Sequence, residues 1–302
     1  MHASPVIPVR QQLPPSLLRA MEPLVRRFET EIREEVAQDR LVLPSVPATL
    51  LAAREALQQP HADIEEICRA LSRDPALATR LLRIANSPAF AGHHPCNSLQ
   101  AAVVRLGTTV ADNVMLMLMV ARVFNVGKRA RIQPYLARLW KHSTRVAALS
   151  HALADCAAHL DRNVALLAGL IHDVGAVPVI VRAQHLPNVF DNQCLLGHLV
   201  GTLHCELGAL VCKRWNVPGE LVEVVHEHEK IDRDPGGPAD YTDLVLVANL
   251  LSNIESPDPA TTAPIWDLPA SRKLGIDQLT LPDLASRAAE FETQLCASIG
   301  GH

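Results

Sequence analysis

The residues of this 302-residue chain best suited to chemistry are four histidines and one aspartate within residues 142–228. His172 and Asp173 are adjacent, in Leu166-Leu-Ala-Gly-Leu-Ile-His-Asp-Val-Gly175. A ring nitrogen and a carboxylate offered together at a helix end suit a divalent metal. Alone the dipeptide says little, because a single buried histidine is more often satisfied by a backbone carbonyl. His142 shares a helical face with Tyr135, Leu139, Val146, Leu149 and Leu153. His204 shares one with Leu207, Gly208 and Val211, and His228 follows Leu221, Val224 and Val225 at the same spacing. All three are expected to point inward. His226 falls on the polar side with Glu223 and Glu227 and is expected to be solvated. Four inward imidazoles and a carboxylate cost desolvation free energy unless they pair or bind an ion. The residues by themselves leave a metal site, an anion site and a set of satisfied core histidines open.

Helices must position these groups. Asp74 stands before Pro75, an N-cap residue ahead of a proline at the first helical position. Asp63 opens a second helix, and Asn97 or Ser98 a third, which Gly107 closes. Thr108 or Thr109 then caps a longer helix to about Asn125, stopped by Gly127. Apolar spacings of three and four recur, while sustained alternation does not. Only ten residues are aromatic, which disfavours both a strand-rich fold and a base-stacking surface. The fold class expected is all-α. Residues 1–40 read as a helical arm with an apolar stripe of Leu17, Leu18, Met21, Leu24, Val25, Phe28 and Ile32. That stripe must cover either the body of the chain or a partner, and intramolecular packing is the preferred reading. The chain breaks near Gln133-Pro134. Residues 256–275, rich in proline, threonine and aspartate, read as a loop or linker before a last helix from Leu281 to about Cys296. The divisions expected are therefore 1–40, 41–133, 134–255 and 256–302.

Leu139-Trp-Lys-His142-Ser and Leu167-Ala-Gly-Leu-Ile-His172-Asp173-Val-Gly are similar to the HD superfamily of helical metal-dependent phosphohydrolases. Leu43-Pro-Ser-Val-Pro47, Ser72-Arg-Asp-Pro75, Leu81-Leu-Arg-Ile-Ala-Asn-Ser87 and Ala101-Ala-Val-Val-Arg-Leu-Gly107 resemble the HDOD domain, the HD-related output domain of bacterial signalling proteins. His204-Cys-Glu-Leu-Gly208 and Lys213-Arg-Trp-Asn-Val-Pro218 continue the resemblance, which covers about residues 40–232. It implies an HD-like helical bundle preceded by an N-terminal helical subdomain. It also implies a regulatory role, usually without catalysis, with His142, His172, Asp173, His204 and His228 as candidate metal ligands. No cofactor is required for that role, and a divalent ion (Zn, Fe, Mn or Mg) is what the ligands could take. Two departures argue against turnover. Catalytic HD enzymes usually follow His-Asp with Gly-Lys, where this chain has Gly175-Ala176, so the ammonium that would steady a phosphate is missing. They also supply a late aspartate, where Leu246-Val-Ala-Asn249-Leu offers an amide that adds no negative charge for a hard cation. No catalytic residue is assigned. A signalling module acting by protein–protein interaction is the favoured reading, and an HD-type phosphohydrolase acting on a nucleotide or cyclic dinucleotide is the alternative.

Charge and cysteine content bear on partners and compartment. No acid lies between Asp112 and Asp155, a stretch carrying Arg122, Lys128, Arg129, Arg131, Arg138, Lys141 and Arg145. Between Asn216 and Asp267 eleven acids face only Lys230 and Arg233. Such asymmetry can mark an anion-binding surface, although mutual packing or simple solvation is the plainer account. No zinc finger or glycine-rich clamp supports a nucleic-acid regulator. Other signalling proteins, or a second copy of the chain, are the partners expected. The seven cysteines form no CxxC and read as free, buried thiols. The longest uninterrupted apolar run, Val114–Ala121, is far short of the ~20 residues that cross a bilayer. The first residues lack a signal-peptide apolar stretch. A cytoplasmic protein away from membranes is therefore expected.

Overall fold

The computed structural model describes residues 15–38, 40, 46–59, 61–87, 90, 94–124, 131–254 and 264–299. Among these residues there are fourteen α-helices and no strand, as the helical spacings require. The N-terminal half comprises α1 (Pro15–Ala37), α2 (Ala48–Leu57), α3 (Ile64–Ser72), α4 (Pro75–Ala85) and α5 (Leu99–Val123). The second half comprises α6 (Gln133–Leu153), α7 (Arg162–Ile171), α8 (Ala176–Ala183), α9 (Pro187–Phe190), α10 (Gln193–Arg214), α11 (Gly219–Glu227) and α12 (Tyr241–Ser252). Two more, α13 (Pro269–Leu274) and α14 (Leu281–Ile299), close the chain.

The helix starts are set by side-chain caps. Asp63 accepts from the Glu65 amide at 2.9 Å, and Asp74 accepts from Ala76 and Leu77 at 3.0 and 3.1 Å. Ser98, rather than Asn97, caps α5 through the Ala101 amide. Each cap satisfies amides that have no partner within the helix. At Gly107 (φ 70°, ψ 167°) the backbone leaves helical geometry. The two helices expected on either side of it are thus present, as the two limbs of α5 joined at this residue. The expected stop at Gly127 lies outside the described residues.

The arm packs on its own body. Val25, Phe28 and Ile32 of α1 are buried, and α1 lies against α10. Arg182 of α8 pairs with Glu31 at 2.6 Å and Glu35 at 3.0 Å, and Arg33 pairs with Glu206 of α10 at 3.1 Å. The side chains of Leu17 and Leu18 lie outside the described residues. Because Ile32 is fully buried, Ile32→Val should lower unfolding stability by about 0.5–1.5 kcal/mol in a denaturant titration. A helix undocked in solution would give no change.

A buried arginine joins the two halves. Arg54 of α2 pairs with Asp112 of α5 at 2.8 Å. It also donates to the carbonyl of Trp215, and at 3.0 Å to that of Asn216, in the turn between α10 and α11. Part of the acidic segment is paired from within. Arg233 is buried among Glu223 (2.7 Å), Glu227 (2.9 Å), Asp240 (2.7 Å) and Asp243 (3.4 Å). Lys273 of α13 reaches Asp234 at 2.9 Å and Asp243 at 3.6 Å. That contact corrects part of the linker expectation for residues 256–275. Ile265, Ala270, Ser271, Leu274 and Ile276 are buried, and α13 packs against α12. Polar composition concealed a short amphipathic helix whose few apolar residues all face the body.

Three helical stretches, Leu99–Val123, Arg162–Ala183 and Gln193–Arg214, are long and apolar enough to cross a bilayer by length and composition alone. Polar residues interrupt their apolar runs, and in the bundle most of each stretch is buried.

Candidate metal centre

Two glycine crossings bring the helices of the site together. A Cβ on Gly169 of α7 would lie 2.6 Å from Ala147 Cα of α6, so α6 and α7 touch backbone to backbone. A Cβ on Gly175, in the turn after α7, would overlap the His204 carbonyl oxygen and the backbone of Gly208 on α10. These approaches set His142 (α6) beside His172 (the end of α7), and press the Asp173 turn onto His204 (α10).

The structure brings all five candidate residues into one cluster. His142 Nε2 and His172 Nε2 are 3.2 Å apart, and they lie 3.6 and 3.3 Å from Asp173 Oδ2. On the other side of the same carboxylate, His204 Nε2 and His228 Nε2 are 3.4 Å apart, and 3.5 and 3.4 Å from Oδ1. His172, Asp173, His204 and His228 are buried, and His142 is nearly so. His226 is half exposed beside Glu227, as its polar face implied.

The outer nitrogens fix the tautomers. His172 Nδ1 donates to the Gly169 carbonyl at 2.7 Å, and His204 Nδ1 to that of Val200 at 2.8 Å. His228 Nδ1 donates to Val224 and Val225 at 3.2 and 3.1 Å. Ser252 spends its hydroxyl hydrogen on the Asn249 carbonyl, so its oxygen accepts from His142 Nδ1 at 3.4 Å. A carbonyl cannot donate, so Nδ1 carries a proton, and in the neutral imidazole the Nε2 lone pair faces the centre. Four Nε2 atoms therefore converge on a buried carboxylate whose Oδ1 makes no hydrogen bond. That arrangement fits cations. A tetrahedral ion with bonds of about 2.0–2.1 Å places neighbouring donors about 3.3 Å apart, close to the separations found here.

The charges of the cluster respond in different senses. Burial drives His142 and His228 down to about 4. At His204 burial also lowers the value, but Cys205, Asp173 and Glu229 outweigh it and hold the imidazole up to about 10. Burial would raise Asp173, yet His172, His228 and His204 keep it well below the usual carboxylate range.

A cavity of about 280 Å³ reaches His142 and Asp173. Arg138, Lys141 and Arg145 of α6 line it, together with Ala176. Sequence reasoning treated Ala176 as the loss of the phosphate-steadying cation and did not connect the basic run to the site. Its signal was the acid-free stretch around α6, in which residues 138, 141 and 145 fall on the same stripe as His142. Asn249 lies within hydrogen-bonding reach of His142. Cys205 was also missed: its sulfur is 3.3 Å from His204 Nε2. Glu229 is further out, 3.8 Å from the same nitrogen.

Fold and site together define an HD-like helical bundle with a histidine–aspartate centre. The HDOD domain family model matches residues 43–231, and the chain belongs to that family. An uncharacterized protein of Treponema pallidum is 26% identical over 230 residues, 72% of this chain and 42% of that protein, so the chain spans less than half of its relative. A Shewanella amazonensis structure, provisionally named a metal-dependent phosphohydrolase, superposes with a TM-score of 0.71 at 21% identity, covering 89% of this chain and 98% of that one. An HDOD domain protein of unknown function from Geobacter sulfurreducens superposes with a TM-score of 0.62 at 23% identity, covering 93% and 99%. At these identities the likeness is one of fold.

Proposed function

We propose that the chain is a signal-transduction module whose HD-like centre holds divalent ions and an anionic, phosphate-bearing ligand without turning it over, and that it reports to other signalling proteins by direct contact. The observation that carries this reading is the cavity that joins three cations to one edge of the histidine–aspartate cluster. His142, His172 and Asp173 Oδ2 would hold the ion on the cavity side. When bound, such an ion supplies Lewis acidity to a ligand oxygen. Arg138, Lys141 and Arg145 would bind the anion and orient it. Arginine is suited to this because its planar fork matches phosphate oxygens in pairs.

Binding without turnover follows from the substitutions. Asn249 adds no charge beside His142, and Ala176 puts a methyl group where a transition-state cation would act. The competing hydrolase reading draws on the same cavity, since three cations beside a three-ligand ion site are also what phosphoester cleavage uses. Two measurements on the full chain separate them. Inorganic phosphate and a cyclic dinucleotide, used as calorimetric probes with manganese present, should bind. Arg138→Ala or Arg145→Ala should weaken binding by roughly 10- to 100-fold, the loss of one or two charge-assisted hydrogen bonds. No hydrolysis should accompany binding with manganese or iron. Metal-dependent turnover abolished by His172→Ala and by Asp173→Ala would establish the hydrolase instead, and binding indifferent to both arginines would refute the anion site.

A further inference from the structure

Cys205 lies in the cluster but has no part in the proposed function. It follows His204 on α10, half-buried, with its sulfur 3.3 Å from His204 Nε2. The donor atoms of His204, Cys205 and His228 all lie within 4.8 Å of one another. We infer that His204, Cys205 and His228, with Oδ1 of Asp173, form a closed four-ligand zinc site, distinct from the cavity-facing site of His142, His172 and Oδ2. The inference deepens the proposed function and rests on it for the ion-holding role of Asp173.

Three features argue for it. The first is geometry. The separations around His204 Nε2 are 3.3 Å to sulfur, 3.4 Å to His228 Nε2 and 3.5 Å to Asp173 Oδ1, and His228 Nε2 is 3.4 Å from Oδ1. These four separations are close to the corresponding edges of a small tetrahedron with zinc–sulfur bonds of about 2.3 Å and the others near 2.0–2.2 Å, and the sulfur lies within 4.8 Å of His228 Nε2. The second is chemistry. Two imidazoles and a thiolate are soft to intermediate donors that select zinc over magnesium or manganese. A thiolate and a shared carboxylate also offset positive charge at the ion. The third is access. The cavity is lined by His142 and Asp173, while His204, Cys205 and His228 are not among its lining residues. Four protein ligands leave no position for water, which marks a structural site rather than a catalytic one. The two faces of one aspartate would then serve different purposes: a closed zinc that fixes α10 and α11, and an open three-ligand site toward the ligand.

Cobalt makes the sulfur visible. Full-length chain purified from cobalt-supplemented medium should show an intense near-ultraviolet thiolate-to-cobalt charge-transfer band. Cys205→Ser should abolish that band and lower zinc affinity by on the order of 100-fold, with unchanged far-UV circular dichroism. His172→Ala should keep the band, because it alters only the cavity-facing site. A wild-type cobalt protein without the band overturns the inference before any variant is made, and so does a Cys205→Ser protein that retains it. Phosphate binding reports separately. A band without phosphate binding refutes only the proposed function, and phosphate binding without a band refutes only the zinc site.

Discussion

Arg233→Ala should lower unfolding stability by about 3–5 kcal/mol, the loss found when one partner of a buried ion cluster is removed. The guanidinium is almost fully enclosed and contacts four carboxylates, one of which, Asp243, is completely buried. Its removal leaves Asp243 with only Lys273 opposite, at 3.6 Å. The loss is a large share of the 5–15 kcal/mol that holds an ordinary domain together. A hydrophobic replacement such as Arg233→Met should not restore stability, because all four acids remain. The pH dependence has a definite sign. Burial, with Asp240 beside it, already holds the Asp243 carboxyl above its ordinary value. A raised folded-state value means that folding favours the protonated acid, so its contribution is fully present at low pH and is lost as pH rises through the folded-state value. Without Arg233 that value should rise further. The deficit of the variant, followed by urea denaturation, should therefore shrink on acidification as Asp243 takes up its proton. A deficit that is constant with pH would show that the guanidinium acts through packing alone.

Gly175→Ala should cost about 3 kcal/mol and disperse the histidine cluster. Overpacking usually costs 1–3 kcal/mol, and here the new methyl meets backbone, the His204 carbonyl and the Gly208 amide, which cannot rotate away. Either the Asp173 turn or α10 must move, and with it the spacing of Asp173 from His204 and His228. Thermal melting should fall, and metal content measured by elemental analysis should fall with it. Gly219→Ala is the control: it opens α11 where a Cβ would meet nothing within 4 Å. Its effect should be neutral or a gain of about 0.4–1 kcal/mol from reduced freedom of the unfolded chain. Loss of stability with full metal content in Gly175→Ala would mean that the crossing supports the fold but not the site.

Much of this was legible in the sequence. Asp63, Asp74 and Ser98 announce helix starts because capping is a local interaction, read within three residues. His142, His172, His204 and His228 were legible as inward groups because helical periodicity alone decides which face a residue occupies. Their convergence on Asp173 rested on resemblance, since periodicity says nothing about which helices meet. Cys205 escaped for a related reason. It sits one position after His204, about 100° around the helix, so a face-based reading separates two residues whose side chains converge at their tips. Arg138, Lys141 and Arg145 were visible as a run without acids, but their cavity is formed jointly with the Asp173 turn, α8, α10 and the end of α12. The pairing within the acidic segment was not visible because four of its acids share Arg233, and Lys273 arrives from a helix that composition concealed.

The hydrogen bonds of Arg54 carry one more consequence. A single side chain in α2 satisfies two main-chain carbonyls that the end of α10 leaves without helical partners, while its ion pair fixes α5. The turn that follows the His204 helix is thus finished by a residue some 160 positions earlier in the chain. Neither half can fray at this seam without exposing unpaired polar groups of the other. The N-terminal helices therefore act less as an appendage to the histidine–aspartate bundle than as the cap that finishes its α10.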